Sequence, residues 1–109
     1  MQVYISGPIT GIPKFEIMFN RQEALLKKMG YQVSNPAKFA KELEDDIRYR
    51  FGRLPTYNEY LKFAIKKLLD CDGISMLPNW EQSKGASAEY YLAVALNYTL
   101  VEVKNAFAQ

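Results

Sequence analysis

The feature that most constrains this fold is a repeated change of period: short β-branched apolar runs alternate with long stretches of helical spacing. Residues 3–6 read VYIS, a strand pattern broken by GPITG. Residues 15–30 then place Phe15, Met18, Phe19, Leu25, Leu26 and Met29 at helical spacing, and Gly30 closes that helix as a C-terminal cap. YQVS at 31–34 reads as a second strand stopped by Asn35 and Pro36. Residues 37–51 form a charged helical stretch that trails into the loop FGRLP. Thr56 and Glu59 have the spacing of a capping box, and the helix they open runs to about Asp70 with Tyr60, Leu61, Ala64, Leu68 and Leu69 facing inward. GISML at 73–77 is a buried-strand pattern, 86–96 an alanine-rich helix, and YTLVEV at 98–103 a last strand.

Strands alternating with helices imply parallel pairing through right-handed crossovers. The expected fold class is therefore α/β: a single three-layer domain over 1–109, Rossmann-like and flavodoxin-like, with a mainly parallel sheet of four to five strands. Its 49% hydrophobic and 24% charged composition is that of a globular chain. A net charge of +2, from 14 basic and 12 acidic residues, is too small for a general grip on a nucleic acid polymer, and none is expected as a partner. Cys71 is the single cysteine, which excludes an intrachain disulfide. The absence of histidine removes imidazole as a metal ligand or general base, so acid–base chemistry falls to carboxylates. Neither a cofactor nor a metal is expected. No apolar run approaches membrane-spanning length and MQVYISG starts as a strand, so the expectation is a cytoplasmic protein without membrane contact.

In open parallel sheets ligands sit at the carboxyl ends of the strands, where the strand order reverses. With the order 2-1-3-4, the two loops bounding that crevice are Ser6, Gly7, Pro8, Ile9, Thr10 and Gly11, and residues 78–85. Glycines at 7 and 11 permit close backbone approach, and the following helix aims amide donors back at the crevice. Such a loop holds a base, sugar or phosphate through its backbone, or is an ordinary strand–helix turn; its spacing is not that of a P-loop or a dinucleotide fingerprint. In the second loop, Ser83 precedes a helix start, where a hydroxyl and open N–H groups make an anion site beside Lys84, or merely a cap. Trp80 either stacks on a nucleobase or closes the crevice, and Asn79 and Gly85 complete the candidate binding set. Glu89 is the odd residue of the following helix. Gly85, Ala86, Leu92, Ala93 and Leu96 share its face, so a carboxylate lies on an apolar stripe. It is either a nucleophile or base tuned by burial, or a structural group bonded to a tyrosine such as Tyr4 or turned toward a subunit interface.

YISGPITG, CDGISMLPNW and SKGASAEYYLAVAL together resemble the nucleoside 2-deoxyribosyltransferase-like superfamily. The closest resemblance is to its small, often phage- or prophage-borne branch, domain of unknown function 4406. The resemblance covers nearly the whole chain. It implies cleavage of the N-glycosidic bond of a 2′-deoxynucleoside or its 5′-monophosphate, with a helix glutamate, here Glu89, attacking the anomeric carbon. The glycosyl–enzyme is then resolved by another base or by water, and the SGPITG loop lines the base and sugar pocket. Six residues before that glutamate the transferases tend to carry aspartate and the monophosphate hydrolases a phosphate-binding serine; here the residue is Ser83. One position departs from the pattern. Aligning the family's strand-opening aspartate with Asp72 puts Ala64 where the enzymes carry an aspartate that assists the leaving base. Loss of a general acid typically costs about 10²–10⁴-fold in rate. Asp70 and Asp72 belong to the far end of the strand, and Tyr60 lies one turn before Ala64. Two functions follow from the resemblance: a nucleotide N-glycosidase or deoxyribosyltransferase, and a nucleotide-binding protein that sequesters or senses its ligand without turnover.

Tyr90 and Tyr91 give the last helix aromatic surface on two sides, and members of the resembled superfamily commonly assemble as dimers or larger oligomers. A homodimer is expected. Light scattering at micromolar concentration should return about twice the chain mass of 12.6 kDa, and the single-chain mass would exclude it.

Overall fold

The computed structural model describes residues 1–103; residues 104–109, the end of the single domain expected over 1–109, lie outside the described residues. The elements run β1 (Gln2–Ser6), α1 (Phe15–Lys28), β2 (Gln32–Ser34), α2 (Pro36–Phe51), α3 (Tyr57–Leu69), β3 (Gly73–Met76), α4 (Lys84–Ala95) and β4 (Thr99–Leu100). A single 3₁₀ turn, Trp80–Gln82, lies between β3 and α4. The four described strands are all parallel in the order β2-β1-β3-β4, with Tyr4 in register with Ser34 on one side and Ile74 on the other. The strand order reverses between β1 and β3.

Local signals explain most element ends. At the end of α1 the Gly30 amide donates to the Lys27 carbonyl at 2.9 Å and the Tyr31 amide to Leu26 at 3.2 Å. That pairing needs Gly30 at φ 94, which suits a residue without Cβ. Asn35 caps α2, accepting from the Ala37 amide at 2.9 Å, with Pro36 in the first helical position. Both halves of the Thr56–Glu59 capping box are made at α3. Three expectations differ in detail. The α4 helix begins at Lys84 rather than at 86, because the Ser83 hydroxyl caps it by accepting from the Ala86 amide. Only Thr99 and Leu100 pair as β4, where a strand over 98–103 was expected, although Val101 N–H still donates to Ile74 at 2.8 Å. Leu69 and Leu96 are 54% and 44% exposed, since Leu69 is a third of a turn past the buried Leu68 and Leu96 is the residue that caps α4.

Alternation along β1 splits the core into two layers. Val3 and Ile5 face Phe19 and Leu26 of α1, whereas Tyr4 faces Leu68 of α3, Ile74 of β3 and Ala93 of α4. On the α1 side a polar knot joins two helices. Asn35 Nδ2 donates to Glu23 Oε1 at 2.8 Å, Lys27 Nζ lies 2.7 Å from Oε2 and Lys38 Nζ 3.0 Å from Oε1. Burial pushes the Glu23 carboxyl upward, but hydrogen bonds from Lys27, Asn35 and Lys38 outweigh it and bring the pKa down to about 2 from 4.5. A depressed pKa stabilises the fold above the unfolded value, and the contribution is lost as pH falls through the folded one. Glu23→Gln should therefore cost on the order of 2 kcal/mol at pH 7, with the gap to the parent closing as pH falls from 4.5 toward about 2 in urea titrations.

Candidate functional site

The site begins with the two-residue period of β1. Tyr4 and Ser6 point to the face that carries α4, and from α4 Glu89 points back between them. The Tyr4 hydroxyl donates to Glu89 Oε2 at 2.6 Å and the Ser6 hydroxyl to Oε1 at 2.7 Å. Glu89 is 6% exposed, with buried Ala86 and Ala93 on the same helix face. Burial raises its pKa above the ordinary carboxylate value, and the two hydroxyls oppose that rise. Tyr4 is pushed well above its usual value of 10, first by burial and then by the charge of Glu89, so its hydroxyl stays a donor across the neutral range. The arrangement is an oriented carboxyl group that forms no ion pair with a lysine or arginine among the described residues, with each oxygen held on one side only.

Above Glu89 opens a cleft of about 860 Å³ at the carboxyl ends of β1 and β3. The two strand ends are drawn close, as the Leu77 amide donates to the Ser6 carbonyl at 2.8 Å. A Cβ at residue 7 would come within 2.8 Å of the Leu77 Cβ, so only glycine passes there. Of the candidates read from sequence, Gly7, Pro8, Ile9, Thr10, Asn79, Ser83, Lys84, Gly85 and Glu89 line this cleft together. Ser6 is buried beneath it and works through Glu89. Gly11 is exposed outside the lining, and Trp80 stacks on Tyr90 with ring centroids 4.4 Å apart, away from the lining. The Ser83 hydroxyl makes its cap bond to Ala86 at 3.2 Å, while the Lys84 and Gly85 amides begin the helix, where N–H groups have no intrahelical partner.

The opposite wall comes from α2 and α3; the sequence pointed to Tyr60, Leu61 and Ala64 on α3 but not to Tyr57 or to the α2 residues. Phe39, Glu44, Tyr57, Tyr60, Leu61 and Ala64 face the cleft there, and the Tyr60 hydroxyl donates to Glu44 Oε2 at 2.6 Å. The spacing 57, 60, 61, 64 is a helical face and carried the signal for α3, but nothing in the sequence told which α2 residue would oppose it. Ala64 does sit on the wall, one turn from Tyr60.

A raised carboxylate pKa is also a stability statement. With the folded value above the unfolded one, Glu89 costs nothing below the ordinary 4.5, and the cost grows as pH rises through the raised value. Glu89→Gln keeps the shape, and Ser6 can turn to accept from the new amide. This variant should melt about 4–8 °C higher than the parent at pH 8, a gain on the order of 1 kcal/mol, and the gain should vanish at acid pH in scanning calorimetry.

No curated protein matches the chain. Both loops, both cleft walls, the Tyr4 and Ser6 donors and Glu89 nevertheless fall inside one recognised unit. Residues 1–102 match the family model described as Domain of unknown function (DUF4406), and the chain belongs to that family.

Proposed function

We propose that the protein cleaves the N-glycosidic bond of a nucleotide, by hydrolysis or by 2-deoxyribosyl transfer, with Glu89 as the nucleophile. The observation that carries this reading is a buried, twice-held carboxylate at the floor of a large, mainly apolar cleft. A sugar C1′ leaving a base develops positive charge, and an oriented carboxylate with no ion-pair partner among the described residues is the group best suited to meet it. One Glu89 oxygen forms a bond to C1′ as the C1′–N bond breaks and its electron pair leaves with the base, which takes up a proton. Water, or a second base, then attacks C1′ and returns the carboxylate. The resemblance to the nucleoside 2-deoxyribosyltransferase-like superfamily supports the same role for Glu89. Ser83, the open amides of Lys84 and Gly85, and the Lys84 charge favour a 5′-monophosphate over a free nucleoside.

A second reading is supported by Ala64. It leaves the α3 wall without the carboxylate that the resembled enzymes carry, which favours a protein that binds a nucleotide without turning it over. Base release from a panel of deoxynucleoside and ribonucleoside 5′-monophosphates and free nucleosides, followed by chromatography, decides between the two. Cleavage is expected from monophosphates and should vanish in Glu89→Ala. Its kcat/KM should fall on the acid side with a midpoint above the ordinary carboxylate value of 4.5, because the attacking group must be ionised. No release from any compound, together with a higher melting temperature in the presence of several, would establish the binding protein instead.

A further inference from the structure

Among the described residues the cleft is lined by two carboxylates, Glu89 on its floor and Glu44 on the α2 wall. Glu44 is half-buried and its only hydrogen-bond partner among those residues is Tyr60, which donates to Oε2 at 2.6 Å and leaves Oε1 without a partner. The donor is fixed in that role. Burial, and then the bond to and charge of Glu44, push the Tyr60 pKa up to about 12, so the phenol keeps its proton at any working pH. Tyr60 is itself held by α3, whose capping box and buried Leu68 anchor it to the sheet. The pair is therefore a carboxyl group with one oxygen tethered and the other available to whatever occupies the cleft. Its partner carboxylate is deep and held by two hydroxyls, whereas Glu44 is shallower and held by one. Two carboxyl groups that face one cleft, one held on both oxygens and the other with an oxygen free, can take separate roles in breaking a glycosidic bond.

We infer that Glu44 is the general acid of this cleft and Tyr60 its positioning residue, an inference that rests on the glycosidic cleavage proposed above. As the C1′–N bond breaks and its electrons pass to the base, the Glu44 carboxylic acid gives its proton to a base nitrogen. The base leaves neutral and Glu44 remains as a carboxylate, which the Tyr60 hydroxyl stabilises. When water attacks C1′ and the bond to Glu89 breaks, the water proton passes to Glu44. One water is consumed, the sugar gains a hydroxyl group, and both carboxyl groups are back in their starting states.

The test compares two leaving groups. Deoxynucleoside 5′-monophosphates need protonation of the base, whereas 4-nitrophenyl 2-deoxyribofuranoside 5-phosphate loses a nitrophenolate that is stable without it. Glu44→Gln keeps an acceptor oxygen for Tyr60, so the wall should remain folded, which an unchanged melting profile checks. It should lower the first-turnover rate on the nucleotides by about 10²–10⁴-fold and change the first-turnover burst of nitrophenolate by less than about tenfold, since the later attack of water is common to both substrates. Tyr60→Phe should show the same selectivity with a smaller loss, and Glu89→Ala should abolish both reactions. Equal losses in first-turnover rate on the two substrates, an unchanged nucleotide rate, or a loss confined to substrate binding would overturn the role of Glu44. If the parent cleaves both compounds and Glu89→Ala neither, glycosidic cleavage stands whatever Glu44→Gln does. If the parent cleaves nothing, that reading fails and the acid role falls with it.

Discussion

Two hydroxyl groups on the central strand hold the carboxylate of Glu89, and this contact links the sheet to the cleft. A carboxyl group that is 6% exposed and has no cation beside it among the described residues opposes folding when it ionises, because water solvates a charge far better than a protein interior does. Tyr4 and Ser6 return part of that loss through two short bonds. The remainder is borne by the packing around them: Tyr4 is itself 1% exposed among Leu68, Ile74 and Ala93. The fold thus concentrates a cost in stability at the mouth of its sheet.

The walls follow from the same strand ends. Gly7 allows the two loops to meet over Leu77, so the cleft floor is tight and its opening wide. The α4 N-terminus places open amides and Lys84 at one rim, while α2 and α3 set Glu44 and Tyr60 at the other. Charge is thus graded across the cleft, with a donor-rich, anion-favouring rim, an anionic floor and a second carboxyl on the far wall.

Much of this was legible in the chain. The period changes located eight elements, and the signals at Gly30, Asn35–Pro36 and the Thr56–Glu59 capping box marked ends among them. The misjudged positions lie where elements end. Leu69 and Leu96 are apolar, yet they lie at an element end or past the edge of a helix face and stay exposed, while strand pairing stops at Leu100 although Val101 is buried. Trp80 was equally ambiguous: an aromatic residue in a loop packs against whatever lies nearest, and here that is Tyr90.

Sequence alone determined what depends on neighbours along the chain: the strand and helix periods, the caps, the parallel topology they imply, and the anomaly of a glutamate on an apolar stripe. Those are local rules, since helix and strand spacing decide which side chains share a face. The partners across faces were decided only in three dimensions. That Tyr4 and Ser6 should both reach Glu89, and that Glu44 should meet Tyr60, depends on how far each helix slides and turns against its neighbour. Side-chain volumes from distant parts of the chain set that fit by filling the interior at close to crystal density, and no local pattern records it.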